Sequence, residues 1–360
     1  MTLSRFKIIM LGLFAGLDLV IHQLSFQSDF IEKQFVRQWY PFFSATLRGF
    51  SVFFSFSVGD VLYGLLVTGM LFYVTRMISL IIKRKGQRKN LLVRLSYQLF
   101  ILGSLVYIFF NVCWGFNYNR KDVATAFGLD KQPYTKTELC QLNGLLLQQL
   151  NERGGDTTQS LHFSALQLQG LVKSAYGSLG KTNDLLSYKH LSLKFSAWSR
   201  LISYWGVSGY YNPFTGEAQI NSEMPSFILP FVCCHEVAHQ LGYAKENEAN
   251  FVGYLAAAST DNADLRYAAD FDMFLYANRN LFFLDSVTAN QYRKMLPLRA
   301  KHDIRELMKF SESHQSLMEP LIEKIYGAFL KNNQQPQGLL SYDEVTGLLI
   351  AYFKKEGRLR

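Results

Sequence analysis

The hydrophobic pattern divides the chain in two. Three long apolar runs fall within the first 116 residues, and after them apolar positions recur at helical spacing among mixed charges. Residues 61–82, VLYGLLVTGMLFYVTRMISLII, hold a single charge, Arg76, and at 22 residues suffice to cross a hydrocarbon core of about 30 Å. Residues 91–116 form a second such run and end near Trp114 and Phe116, aromatic rings of the kind enriched at a membrane interface. The first run, 8–26, contains Asp18 and His22. No small-residue cleavage site follows it, so it reads as a retained helix and not as a signal peptide. Asp18 is expected to face the helix bundle or the interface. Segment 27–60, with QWYPFF and GFSVFFSF, reads as an outer loop holding an interfacial or re-entrant piece.

Beyond residue 120 the period becomes that of amphipathic helices. In 135–155, Leu139, Leu142, Leu146 and Leu150 share one face, Thr135 and Glu138 give a capping signal, and Gly154 ends the run. Residues 162–180 repeat the pattern, as do 341–357, with Ser341 as cap and Glu344 three positions on. SGYYNPFTGEAQIN, 208–221, differs: its NPFTG turn signal between two short runs predicts a β-hairpin or a strand entered by a turn. Pro225 and Pro230 precede an apolar helix, and ENEANFVGYLAAA starts another. The expected fold is mainly α, with a membrane domain over 1–118 and a mostly helical domain over 119–360 that carries a small β-hairpin or edge strand.

Charge sharpens this division. Of the 37 Lys and Arg and 28 Asp and Glu, residues 1–119 hold 12 and 4, so nearly all of the +9 net charge belongs to the apolar part. Such an excess between apolar runs is a topology signal and argues against nucleic acid as a partner. The loop KRKGQRKN, 83–90, carries five basic residues and is expected on the cytoplasmic side. With three crossings, the N-terminus is then cytoplasmic too, and residues from about 120 onward work outside the membrane. Cys113, Cys140, Cys233 and Cys234 show no CxxC spacing and are expected as free thiols.

The chemistry concentrates in CCHEVAHQLGYAKENEANF, 233–251. His235 and His239 lie four apart, so a helix presents both imidazoles to one metal ion, and Glu236 sits beside them where a general base for water belongs. Gly242 lets the helix end, and the first turn of the next helix can return a carboxylate, from Glu246 or Glu248. Three fixed positions arise by chance in roughly 1% of chains this long, so context has to carry the reading. Here the motif lies on apolar helices, where two histidines and two glutamates would be costly without a metal or other partners. His/His/Glu ligation favours Zn2+. His22, His162, His190 and His314 stand apart from any carboxylate cluster and need only surface or packing roles.

HEVAHQLGYAKENEANFVGYLAA, with GYYNPFTGEAQIN before it, resembles the DUF3810 family of bacterial membrane proteins and, more broadly, the gluzincin-type HExxH zinc metallopeptidases. The resemblance covers most of the chain, from the three N-terminal helices to GLLSYDEVTGLLIAYF. It implies a zincin-like α+β domain on the extracytoplasmic side of the inner membrane, hydrolysing a peptide or protein substrate, with GEAQIN as an edge strand that aligns that substrate. In zincins with a glutamate ligand, an Asp or Asn four positions later often supports a ligand histidine; Glu246 has Asn250 there, whereas Glu248 has Val252. The resemblance thus implies His235, His239 and Glu246 as metal ligands and Glu236 as catalytic base. The gap from His239 to Glu246 is shorter than in the thermolysin arrangement. An oxyanion donor is also expected, with Tyr210, Tyr211, Tyr267 and His302 as candidates. The alternative, from another class, is a non-catalytic membrane scaffold whose structural zinc staples two helices, with Glu248 as a fourth ligand.

Overall fold

A computed structural model of the chain describes residues 4–154, 162–181, 186–316, 318–333 and 344–359. The fold is mainly α with one small sheet. Three helices are long and apolar enough to cross a membrane: α1 (Arg5–Ser25), α3 (Val58–Lys83) and α4 (Arg88–Cys113). Between α1 and α3 the chain is helical throughout Ser28–Ser51, first in a wide π-helical stretch (Ile31–Trp39) and then in α2 (Tyr40–Ser51), which has Pro41 near its start. The segment between the first two of these helices is thus mostly helix. Asp18 faces the bundle, accepting a 2.7 Å hydrogen bond from Ser104 on α4.

The third spanning helix ends at Cys113, before the expected residue 116. Trp114 leaves the helical conformation, and Gly115–Asn119 form a 3-10 turn; Trp114 and, within the turn, Asn117, Tyr118 and Asn119 are buried. The physical reason is packing: the Trp114 ring lies 4.7 Å from that of Tyr211 and 5.8 Å from that of Tyr40.

In the second half, α5 (Lys136–Gly154) opens on the expected Thr135–Glu138 cap, and α6 (Ala165–Gly180) opens on a capping box formed by Ser164 and Gln167. The C-terminal helix, α12 (Val345–Glu356), runs as expected, while its proposed cap Ser341 lies outside the described residues. The hairpin is present as β2 (Gly209–Asn212) and β3 (Glu217–Ile220), paired antiparallel with Gly209 opposite Ile220. A third strand, β1 (Leu193–Phe195), adds in parallel to β3, giving the order β1-β3-β2 and leaving β2 at an edge.

Behind the sheet lie α7 (Leu229–Gln240), α8 (Glu246–Ala258) and α9 (Ala263–Leu284). Pro230 starts α7 without wasting a backbone donor, and Gly242 at φ 88° turns the chain sharply after it. All 13 residues of α8 are buried, and its small Gly253 faces the His235 backbone, where an added Cβ would stand 3.1 Å from the amide nitrogen. Two further helices matter below: α10 (Leu298–Ser313) and α11 (Glu319–Asn332). The four cysteines are free among the described residues.

Candidate metal centre

Helix α7 sets His235 and His239 on one face, with Nε2 atoms 3.1 Å apart. The turn at Gly242 brings α8 back alongside, so that Glu246, its first residue, places Oε2 3.2 Å from His235 Nε2 and 3.5 Å from His239 Nε2. The other side of each ring is already engaged. His239 Nδ1 donates to the Tyr243 carbonyl at 2.7 Å, and His235 Nδ1 donates to Asn250 Oδ1 at 2.7 Å. These bonds fix ring orientation and aim both Nε2 atoms at a common point with the carboxylate, as outer partners of ligand histidines do. The Asn250 contact is the one expected from its place four residues after Glu246.

Glu248, the other candidate, is fully buried but points elsewhere. Its Oε1 accepts the Val123 amide at 3.2 Å and lies 3.6 Å from Lys245 Nζ. Two residues apart on a helix, the two carboxylates necessarily face different neighbours.

Glu236 lies one position along α7, buried against β2. An added Cβ on Gly209 would stand 2.7 Å from Glu236 Oε1, so only glycine leaves the carboxylate its place. Glu236 Oε2 is buried with no hydrogen-bond partner, although a buried carboxylate oxygen normally has one. Burial pushes the Glu236 pKa above the usual range, against the pull of the two imidazoles. Glu246 goes the other way: burial raises it, but His239 and His235, through charge and hydrogen bonds, hold it well below the usual range.

These groups open onto a cleft of about 700 Å³. Its floor holds His235, Glu236, His239 and Glu246, with Asp272 of α9 nearby, whose carboxyl is pushed by burial up to about 7. Tyr326 of α11 donates its hydroxyl to Glu246 Oε1, and the Trp114 ring packs edge-on 6.2 Å from His239. Along β2, Ser208 accepts the Asn221 amide, while Ala218 and Ile220 bond back to the β1 side. The alternation of an antiparallel ladder therefore directs the backbone groups of Gly209 and Tyr211 to the open edge.

Of the four oxyanion candidates, two stand in the cleft and two, Tyr267 and His302, are not among its lining residues. Tyr210 and Tyr211 line the cleft; the Tyr210 hydroxyl donates to Asp60, and the Tyr211 hydroxyl lies 3.3 Å from that of Tyr40. Tyr267 donates to Asp303 at 2.6 Å, and His302 lies 3.2 Å from the same carboxylate. His302, Asp303 and Glu306 form a second cluster, already partnered by Tyr267 and by Arg299 at 3.8 Å. Tyr326, Asp272 and Gly209 were not found from sequence. Gly209 alone carried a signal, as the glycine that opens the strand run GYYN.

The family described as protein of unknown function (DUF3810) matches residues 35–350, a span that includes α2, α3, α4 and the whole His/His/Glu cluster. Neither the curated proteins nor the solved structures give a match. With the match covering most of its length, the chain belongs to the DUF3810 family.

Proposed function

We propose that the protein is a membrane-anchored zinc metallopeptidase, seated in the bacterial inner membrane with residues from about 119 onward on the extracytoplasmic side. The observation that carries this reading is the convergence of His235 Nε2, His239 Nε2 and Glu246 Oε2 on one point, beside an unpaired buried oxygen of Glu236. The donor set fits Zn2+: two neutral imidazoles, one carboxylate, and no fourth protein ligand among the described residues. An arrangement of three protein ligands with one open position is that of a catalytic zinc site, whereas a structural site is closed. Glu248, needed to close the site in the scaffold alternative, accepts the Val123 amide instead.

Zinc bound there would supply Lewis acidity, making water more acidic and a peptide carbonyl more electrophilic. The protein's own groups supply the rest. The open edge of β2 offers the backbone of Gly209 and Tyr211 to an extended peptide, which would pair as an added strand. Glu236, its pKa raised by burial, takes a proton from the attacking water and returns it to the leaving amine. The Tyr326 hydroxyl holds Glu246 in place through its second oxygen. The basic loop between α3 and α4 supports the orientation, with Lys83, Arg84, Lys85, Arg88 and Lys89 on the cytoplasmic side.

The test compares wild type with Glu236→Gln in native membranes, mapping newly formed peptide termini by mass spectrometry. Termini that vanish in Glu236→Gln, in protein that keeps its zinc, are expected. Identical termini in both would contradict catalysis and favour the scaffold.

A further inference from the structure

Charge in the cleft runs opposite to charge in the chain. Of the 37 Lys and Arg, none among the described residues lines it, whereas five carboxylates do: Glu236, Glu246, Asp272, Glu319 and Glu323. Zn2+ at the metal centre would balance the first two. The other three side chains have no ion pair and no hydrogen bond among the described residues.

Glu319 and Glu323 lie four apart on α11 and share a face with Tyr326, which also borders the cleft. The helix N-terminus favours Glu319 in its first turn, but Glu323 lies a turn beyond, and two like charges at this spacing repel. Nothing among the described residues offsets that repulsion. The cleft also carries two buried polar atoms without a hydrogen-bond partner, Glu236 Oε2 and Asn250 Nδ2, so its floor is built to meet a polar ligand.

The edge strand relates these charges to the chemistry. Gly209 packs against Glu236, so the bond to be cut lies beside Gly209. Glu319 Oε1 stands 3.3 Å from the place of a Cβ on Gly206, and Gly206 precedes Gly209 by three residues, at most about 10 Å of chain. In the other direction the lining is aromatic. Tyr63 of α3 stacks on Tyr210 at 6.3 Å, the Trp114 ring lies 4.7 Å from that of Tyr211, and Phe214 follows in the hairpin turn. The cleft is thus polarised along β2, acidic before Gly209 and aromatic after it, with Asp272 a further negative charge near His235.

We infer, resting on the peptidase reading above, that the substrate is a peptide with a lysine or arginine within about three residues of the bond cut, its cationic head beside Glu319 and Glu323, and an apolar side chain on the other side of that bond. The long apolar stem of either residue suits the route, since it can run along the cleft wall while its charge reaches the carboxylates at the mouth.

The test uses the full chain in an uncharged maltoside detergent, so that no anionic lipid attracts the probes. The probes are blocked, fluorescent alanine octapeptides with one phenylalanine and, three residues from it, lysine, norleucine or glutamate, made in both orders along the peptide. Binding is read by anisotropy with zinc and after its chelation, and cleavage by mass spectrometry. The lysine peptide is expected to bind about five- to tenfold tighter than its norleucine twin, a preference that added salt weakens and Glu319→Gln/Glu323→Gln abolishes. Glu306→Gln/Glu312→Gln, at two exposed positions of α10 outside the cleft, should leave it unchanged. Absence of a lysine preference, absence of binding by every peptide, or a preference that Glu319→Gln/Glu323→Gln leaves intact would overturn the inference, as would equal losses in both double variants. If the preference is found as expected but the zinc-loaded chain cleaves no peptide, the peptidase reading fails while the cationic site stands. Cleavage without the preference means the reverse.

Discussion

Two imidazole Nε2 atoms 3.1 Å apart, with both Nδ1 atoms already donating, leave room for one cation between them, a proton or a metal ion. In the metal-free protein that cation is a proton. Burial opposes it, but the hydrogen bond with Glu246 and the charges of Glu236 and Glu246 hold the His235 pKa up at about 9. A pKa raised in this way stabilises the fold fully below the unfolded value of 6.5 and ceases to do so as pH rises through about 9. Zinc has to displace the same proton. The gain in melting temperature on adding zinc should therefore grow between pH 6.5 and about 9 and level off above; a gain independent of pH over that window would count against zinc at these histidines. Asn250→Ala, which removes the acceptor for His235 Nδ1, should weaken zinc binding roughly 10- to 100-fold in competition with a fluorescent chelator. Unchanged affinity would mean that the ring needs no such support.

At the scale of elements, the joint between membrane and domain is a buried ion pair. Glu217 of β3 accepts the Val58 amide at 3.0 Å, at the start of α3, and pairs with Lys194 of β1 at 2.8 Å; both residues are buried. Glu217→Gln leaves Lys194 charged and uncompensated, at an expected cost of about 3–5 kcal/mol in denaturant unfolding of the detergent-solubilised protein. Adding Lys194→Met should recover part of that loss, and a double variant no better than the single would show that the ion pair is not what binds these elements. Much of the candidate cluster was legible in sequence because it is local: the shared face of His235 and His239 follows from helical period, and a returning carboxylate, from Glu246 or Glu248, from the next helix, while the preference for Glu246 came with the zincin resemblance. The helix at Ser28–Ser51 was not legible, because its buried face includes Ser44, Arg48 and Ser51, whose partners are carbonyls and hydroxyls far along the chain. Strand β1 is three residues long and has its partner 25 residues later. Tyr326 meets Glu246 across 80 positions, a contact no local pattern announces.

For the whole molecule, the membrane part and the later part share one cleft, so neither supplies it alone. A fragment beginning at 119 loses Tyr40, Ser44 and Arg48 from the end of α7 and Trp114 from beside His239. It should bind zinc more weakly than the full chain and expose apolar surface to a hydrophobic dye; full zinc affinity in that fragment would show that the membrane helices serve as anchor only. The account as a whole turns on the zinc content of the purified full chain, measured by elemental analysis for wild type, Glu246→Ala and Glu248→Ala. One zinc per wild-type chain is expected, lost in Glu246→Ala and kept in Glu248→Ala. No zinc in the wild type after refilling at neutral pH would contradict the account and leave HEVAH as a core helix carrying a protonated histidine pair.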